Sequence, residues 1–159
     1  RDWSSDVCSS DLTRGGLLPA VMISHYLKVP MHSLDVSLRD NVGTMGPESN
    51  LWMAEDAFGY VTNGEKTRSS EAYRKNILIV DDINDTGATL NWIKQDWQSS
   101  CLPDDERWSD VWNTNVRIAT LFDNESSKSE LTVDYSAVTI NKAEEDVWID
   151  FPWESWWTR

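Results

Sequence analysis

The chain has 159 residues, with 14 Lys plus Arg against 27 Asp plus Glu and a formal charge of -13. That length builds one domain around one core and leaves no room for two ordinary ones. The charge excludes a surface that tracks nucleic-acid phosphates or anionic lipid, because both need clustered cations. Hydrophobic residues make up 40% and charged residues 26%, a globular composition. No apolar run approaches the roughly 18 residues of a membrane span. Cys8 and Cys101 are the only cysteines and His25 and His32 the only histidines, so neither a disulfide framework nor a Cys- or His-rich metal site is expected. The composition points to an acidic cytoplasmic domain with neither nucleic acid nor membrane as partner.

Residues 1–12 repeat a Ser-Ser-Asp unit, lack a period of 2 or 3.6, and have neither the basic start nor the apolar centre of a signal peptide. They resemble a translated sequencing-adapter fragment. We read them as a non-native segment, with the domain proper over 13–159 and its natural start lost. From Thr13 onward the elements follow in order. Residues 17–27 read as a helix with Pro19 in its first turn and Leu17, Val21 and Leu27 on its buried side. His32, Leu34, Val36 and Leu38 alternate with polar residues, a strand pattern. Residues 39–75 are polar and dotted with glycine around an apolar island at 51–61, which reads as a long mobile hairpin.

Residues 77–80, Ile-Leu-Ile-Val, form a continuous apolar run that stops at Asp81-Asp82, as a buried parallel strand does. Thr86 is placed to cap a helix over 87–98 that carries Leu90, Ile93 and Trp97 on one side. An acidic insertion over 99–115 contains a short helix around 106–112, and residues 116–122 and 131–140 are two further strands. Strand, helix, strand, helix, strand is the grammar of a parallel sheet covered on both faces. Ten tryptophans stand out, four of them (Trp148, Trp153, Trp156, Trp157) in the last twelve residues. Composition favours core packing for them over an aromatic platform for a planar ligand.

The chemistry concentrates in residues 77–89, Ile-Leu-Ile-Val-Asp-Asp-Ile-Asn-Asp-Thr-Gly-Ala-Thr. A buried strand delivers two acids to its carboxyl end, and a tight loop then opens a helix. Backbone N–H groups at a helix start, with the hydroxyls of Thr86 and Thr89, surround a phosphate without any cation. Gly87 lets the backbone come close to the ligand. Asp81 and Asp82 can accept hydrogen bonds from sugar hydroxyls and help hold magnesium. In open α/β sheets, ligands sit at this edge.

Four apolar residues, two acids, two variable positions and Asp-Thr-Gly-x-Thr resemble the signature of the type I phosphoribosyltransferases. Residues 13–20, Thr-Arg-Gly-Gly-Leu-Leu-Pro-Ala, are similar to that family's first ligand loop, which contacts pyrophosphate; Arg14 and Gly15 fall there. Residues 147–154, Val-Trp-Ile-Asp-Phe-Pro-Trp-Glu, resemble the base-binding tail of the purine branch. The resemblance covers 13 to about 154. It implies a parallel sheet flanked by helices, with a small hood formed by the C-terminal segment. It implies transfer of a phosphoribosyl group from 5-phosphoribosyl-1-pyrophosphate (PRPP) to a purine base, with magnesium as cofactor. Under it Asp81 and Asp82 bind ribose and magnesium, and Asp85, Thr86, Gly87, Ala88 and Thr89 hold phosphate. Trp148 stacks on the base, and the backbone of Ile149 reads its edge. Asp85 either handles the proton on the imidazole ring of the base or serves as the loop's structural acid. Glu154 is a ligand of a second magnesium or a solvated tail acid. A homo-oligomer fits the family.

Two departures stand out. Purine-salvage relatives carry a Lys after the strand matching 117–122, and Asn124 occupies that position here as a base-binding residue. The strand that should lead into Arg14 falls in the segment read as foreign. A non-catalytic nucleotide-binding regulator of the same fold and a pyrimidine or orotate phosphoribosyltransferase remain the alternatives.

Overall fold

The computed structural model describes residues 7–11, 15–34, 36, 51–63 and 66–153. Arg14, Glu154, Leu38 and the polar stretch 39–50 lie outside them. A five-stranded parallel sheet runs in the order β2-β1-β5-β6-β7, with β1 at Val7–Asp11, β2 at Met31–Leu34, β5 at Ile77–Asn84, β6 at Val116–Asn124 and β7 at Tyr135–Ile140. Helices α1 (Leu17–Leu27), α2 (Leu51–Phe58), α3 (Ala88–Ser100) and α4 (Arg107–Thr114) cover it, and β3 (Tyr60–Asn63) and β4 (Lys66–Ser69) form a separate antiparallel hairpin. Among the described residues no helix is long and apolar enough to cross a membrane.

β5 explains why its sequence is an unbroken apolar run. Ile77 and Ile79 enter the large core beneath α2, α3 and α4, while Leu78 and Val80 pack with Ala20 of α1 on the opposite face. Both pleat directions are buried, so no polar position alternates. The strand does not stop at the acid pair. It continues to Asn84 because the ladder with β6 persists, Asp81 opposite Thr120 and Asn84 opposite Asp123. The apolar run ends earlier than the hydrogen bonds do.

The strand missing from the sequence reading is present. β1 lies between β2 and β5, with Cys8 opposite Met31 and Leu78, and Ser10 opposite Ser33 and Val80. It falls within the segment read as foreign, so the fold uses residues ahead of Thr13. Ladder pairing goes through backbone groups, and so it leaves no alternation in Val-Cys-Ser-Ser-Asp for a pattern search to find.

α1 also differs from expectation. Its buried residues are Pro19, Ala20 and Ser24, whereas Leu17 and Leu27 are exposed. Small side chains let this helix lie close on the sheet. Ser24 Oγ donates to the carbonyl of Val29 at 2.6 Å. α3 meets expectation in burying Leu90, Ile93 and Trp97. Trp97, Trp112 and Trp108 stack in that series at ring separations of 5.3 and 6.0 Å, with Phe58 5.0 Å from Trp108. These rings bear out the packing reading for the middle of the chain. After β7 the C-terminal segment folds back, and buried Phe151 packs on Phe122 of β6 and on Trp153.

Candidate functional site

At the carboxyl end of β5, Asp81 and Asp82 are 3% and 7% exposed. Asp81 Oδ1 accepts from the Asp82 N–H at 2.9 Å, and Asp82 Oδ1 accepts from the Ile83 N–H at 2.8 Å. Burial pushes the Asp82 carboxyl above the ordinary carboxylate range, against the lowering effect of its hydrogen bonds to Asp81 and to backbone. Gly15, in the loop before α1, lies against this carboxylate so closely that a β-carbon there would overlap it. Two segments that the sequence reading assigned to one ligand are thus adjacent.

Residues 81–90 line a cavity of about 190 Å³ together with Thr120 of β6, the ladder partner of Asp81. All the expected phosphate-cradle residues, Asp85, Thr86, Gly87, Ala88 and Thr89, line it. Thr86 Oγ1 accepts from the Ala88 N–H at 3.3 Å, which serves the first helical turn. The helix cap itself is Gly87, at φ 85°, with no side-chain hydrogen bond. Gly87 is required by its own backbone conformation and by its neighbours. Its φ is left-handed, and a β-carbon would strike the backbone of Lys128 and Ser129. The close approach that it permits is to the loop after β6.

That loop braces the cradle. The Lys128 N–H donates to the Thr86 carbonyl at 3.0 Å, and Asn91 Nδ2 of α3 donates to the Lys128 carbonyl at 2.9 Å. Asn84 Nδ2 donates to Asp123 Oδ1 at 2.8 Å and Ser127 Oγ at 2.9 Å. Two polar atoms on residues lining the cavity, Asn84 Oδ1 and Thr120 Oγ1, are buried without a partner among the described residues.

Asp85 is held from outside the motif. Asn124 Nδ2 donates to its backbone carbonyl at 2.9 Å, and Lys142 Nζ reaches its Oδ2 at 3.0 Å. Asn124 is 5% exposed, and its own carbonyl accepts from Ser126 N–H, Ser126 Oγ and Lys142 N–H at 3.2, 2.8 and 3.0 Å. Its polar capacity is engaged within the protein. Lys142 escaped the sequence reading, although it is the one Lys or Arg between Lys128 and Arg159. A solitary cation in an acidic tail was the available signal.

Trp148 is 87% exposed, and neither it nor Ile149 borders the cavity. Its ring is uncommitted to the core. Among the described residues no three acidic, His or Cys side chains cluster as a protein-only metal cage. The hard oxygens of Asp81 and Asp82 nonetheless fit magnesium, which is ordinarily held by one or two carboxylates together with substrate oxygens and waters.

A parallel α/β sheet whose central strand delivers two buried acids and a helix-opening cradle at its carboxyl edge defines a phosphate-ligand protein of the open-sheet class. A family model described as "Phosphoribosyl transferase domain" matches residues 12–156, and the chain belongs to that family of glycosyltransferases. It is 25% identical over 158 residues to the hypoxanthine-guanine phosphoribosyltransferase of Saccharomyces cerevisiae, covering 89% of this chain and 71% of that protein. In structure it is similar to a purine phosphoribosyltransferase from Pyrococcus horikoshii, with TM-score 0.52, 24% identity, and coverage of 95% and 78% of the two chains. It also resembles a hypothetical protein from Neisseria gonorrhoeae with bound ppGpp, at TM-score 0.52, 19% identity, and coverage of 96% and 76%.

Proposed function

We propose that this chain is a cytoplasmic purine phosphoribosyltransferase, which joins PRPP and a purine base to give a nucleoside monophosphate and pyrophosphate. The observation that carries the reading is the cavity of residues 81–90, where two buried carboxylates face a helix-opening cradle of amides and hydroxyls. It also accounts for a polyanion bound by a chain of charge -13: N–H dipoles and a metal supply the positive field.

In the reaction the bond from the anomeric carbon to pyrophosphate breaks and the bond to a ring nitrogen of the base forms. The carbon becomes cation-like as the leaving group departs, so catalysis rests on positioning and on charge stabilisation. Thr86, Gly87, Ala88 and Thr89 hold the 5′-phosphate, while Asp81 and Asp82 accept from the ribose hydroxyls. Arg14 and Gly15 contact the pyrophosphate. Asp81 and Asp82, together with substrate oxygens, would hold magnesium, which would supply charge neutralisation of the pyrophosphate; Glu154 would either serve a second ion or stand as a solvated tail acid. Asp85 takes the proton that leaves the imidazole ring of the base. Asn124 contributes by holding Asp85 in place. Trp148 covers the ring face, and the Ile149 backbone reads the ring edge.

The test is pyrophosphate release by the full chain with PRPP, magnesium and a panel of purine and pyrimidine bases. Turnover with a purine supports the reading. Turnover with pyrimidines alone, or nucleotide binding with no turnover on any base, overturns it in favour of one of the two alternatives.

A further inference from the structure

Among the described residues the parallel sheet has two edges, β2 and β7, and they differ. β2 is four residues long and follows Pro30, two devices that blunt an edge against further pairing. β7 has neither. Its six residues, Tyr-Ser-Ala-Val-Thr-Ile, carry no charge and no proline. It keeps one unbroken register with β6 from Tyr135 to Ile140, so no bulge turns it away. Residues 135–139 are all exposed, with Tyr135 at 58% and Val138 at 44%. In a chain of charge -13, this uncharged edge is where a second copy approaches with least repulsion.

The ladder with β6 fixes which backbone groups of β7 remain. The Asp134 N–H donates to the Ile118 carbonyl, and the Ile140 carbonyl accepts from the Glu125 N–H, so the even-numbered residues point at β6. Tyr135, Ala137 and Thr139 therefore turn their N–H and C=O groups outward, where no described strand meets them. An antiparallel partner sets outward residues opposite outward residues. For two copies of β7, the registers of longest overlap that do so are centred on Ala137 or on Val138. Centring on Ala137 puts the Asp134 carboxylate opposite Ile140, a mismatch in polarity. Centring on Val138 puts that side chain against its own copy in a non-hydrogen-bonded pair, where side chains lie closest. Ala137 then faces Thr139. Beyond the strand ends, Asp134 of one copy meets the turn that carries Lys142 of the other, acid to base, twice by symmetry. Lys142 Nζ reaches Asp85 at 3.0 Å, and an ammonium has donors for more than one acceptor.

We propose that β7 is the interface of a homodimer, in which two copies join these strands antiparallel about Val138 into one continuous sheet. The inference stands apart from the transferase reading. Six residues a side fall short of the roughly 1,200 Å² of a standard interface, so the dimer is of the weak class. Sedimentation equilibrium of the full chain from about 1 µM to about 500 µM covers that class, and the wild type passes from one chain mass toward two. Val138→Lys and Val138→Glu each set like charges opposite each other and weaken the dimer roughly tenfold or more. A mixture of the two variants restores it, because Lys then faces Glu. That rescue keeps the test independent of folding, since a chain that fails to fold is not repaired by a second variant. Ala137→Pro removes an outward N–H, leaves the ladder with β6 intact, and weakens the dimer by a similar factor. A wild type that stays monomeric at the highest concentration overturns the proposal; if deletion of residues 154–159 then yields a dimer, that segment is the occupant of the edge. A dimer that all three variants leave unchanged uses another surface and overturns it too. Loss in both charged variants without rescue by their mixture overturns the pairing about Val138.

Discussion

Thr120, which lines the cavity and pairs with Asp81 in the β5–β6 ladder, carries a buried hydroxyl with no partner among the described residues. A ligand that supplies the partner turns that deficit into affinity. Thr120→Val keeps the shape and removes the unmatched group, so the free protein should gain roughly 1 kcal/mol in urea unfolding. Affinity for ribose 5-phosphate should fall several-fold in calorimetry. A purely structural Thr120 gives the opposite sign for stability and no change in binding. Trp148 presents the complementary case. Because its ring is 87% exposed, Trp148→Ala should move the melting temperature by less than about 2 °C. Base binding should weaken about tenfold, and Trp148→Phe should restore most of it. Early melting with parallel loss of sugar-phosphate and base affinity would defeat the stacking role. At this scale the sequence was legible where the site is contiguous. Residues 81–89 carry their acids and hydroxyls in one run, and all of them border the cavity. Thr120 and Lys142 were not legible, because they reach the site from β6 and from the turn after β7; Lys142 lies 57 residues from its partner Asp85.

Among the elements, those with a one-sided apolar pattern were read correctly and those without one were not. α3 shows Leu90, Ile93 and Trp97 at helical spacing, and these are its buried side. α1 is apolar nearly all round, so no face could be chosen from pattern alone. The sheet took the small side chains of Pro19, Ala20 and Ser24 and left Met22 and Tyr26 exposed. α4 has a start signal that periodicity does not record. Asp105 Oδ1 accepts from the Arg107 N–H at 3.0 Å, and its carboxylate also holds the Arg107 side chain at 2.6 Å. That side-chain hydrogen bond, with the backbone one, lowers the Asp105 carboxyl to about 2. A depressed carboxyl stabilises the fold above its ordinary value near 3.9, and the contribution disappears as the pH falls through its folded value. Asp105→Ala should therefore cost about 1 kcal/mol at neutral pH, as loss of a helix-start bond does. The difference from wild type should shrink steadily between pH 4 and pH 2. A difference independent of pH would show that the carboxylate is not what matters.

Over the whole molecule, the parallel architecture was legible from residue 77 onward, where apolar strands and amphipathic helices alternate. The amino-terminal strand was not, since β1 contributes backbone pairing from a segment with no apolar rhythm. The same sheet determines how the site is made. Gly15, residues 81–90, Thr120, the loop after β6 and Lys142 come from distant parts of the chain and are tied together by bonds such as Lys128 to Thr86 and Asn124 to Asp85. No fragment holds enough of these pieces to bind, so a ligand of this site has no unfolded chain to prefer. Its affinity must then appear in full as resistance to heat. At one hundred times the dissociation constant the gain is about 2.7 kcal/mol, which in a domain of this size raises the melting temperature by roughly 5–10 °C. Melting curves recorded across a set of sugar phosphates, nucleotides and bases therefore rank candidate ligands without any need for turnover. A true occupant is recognised by a shift that grows with the logarithm of its concentration.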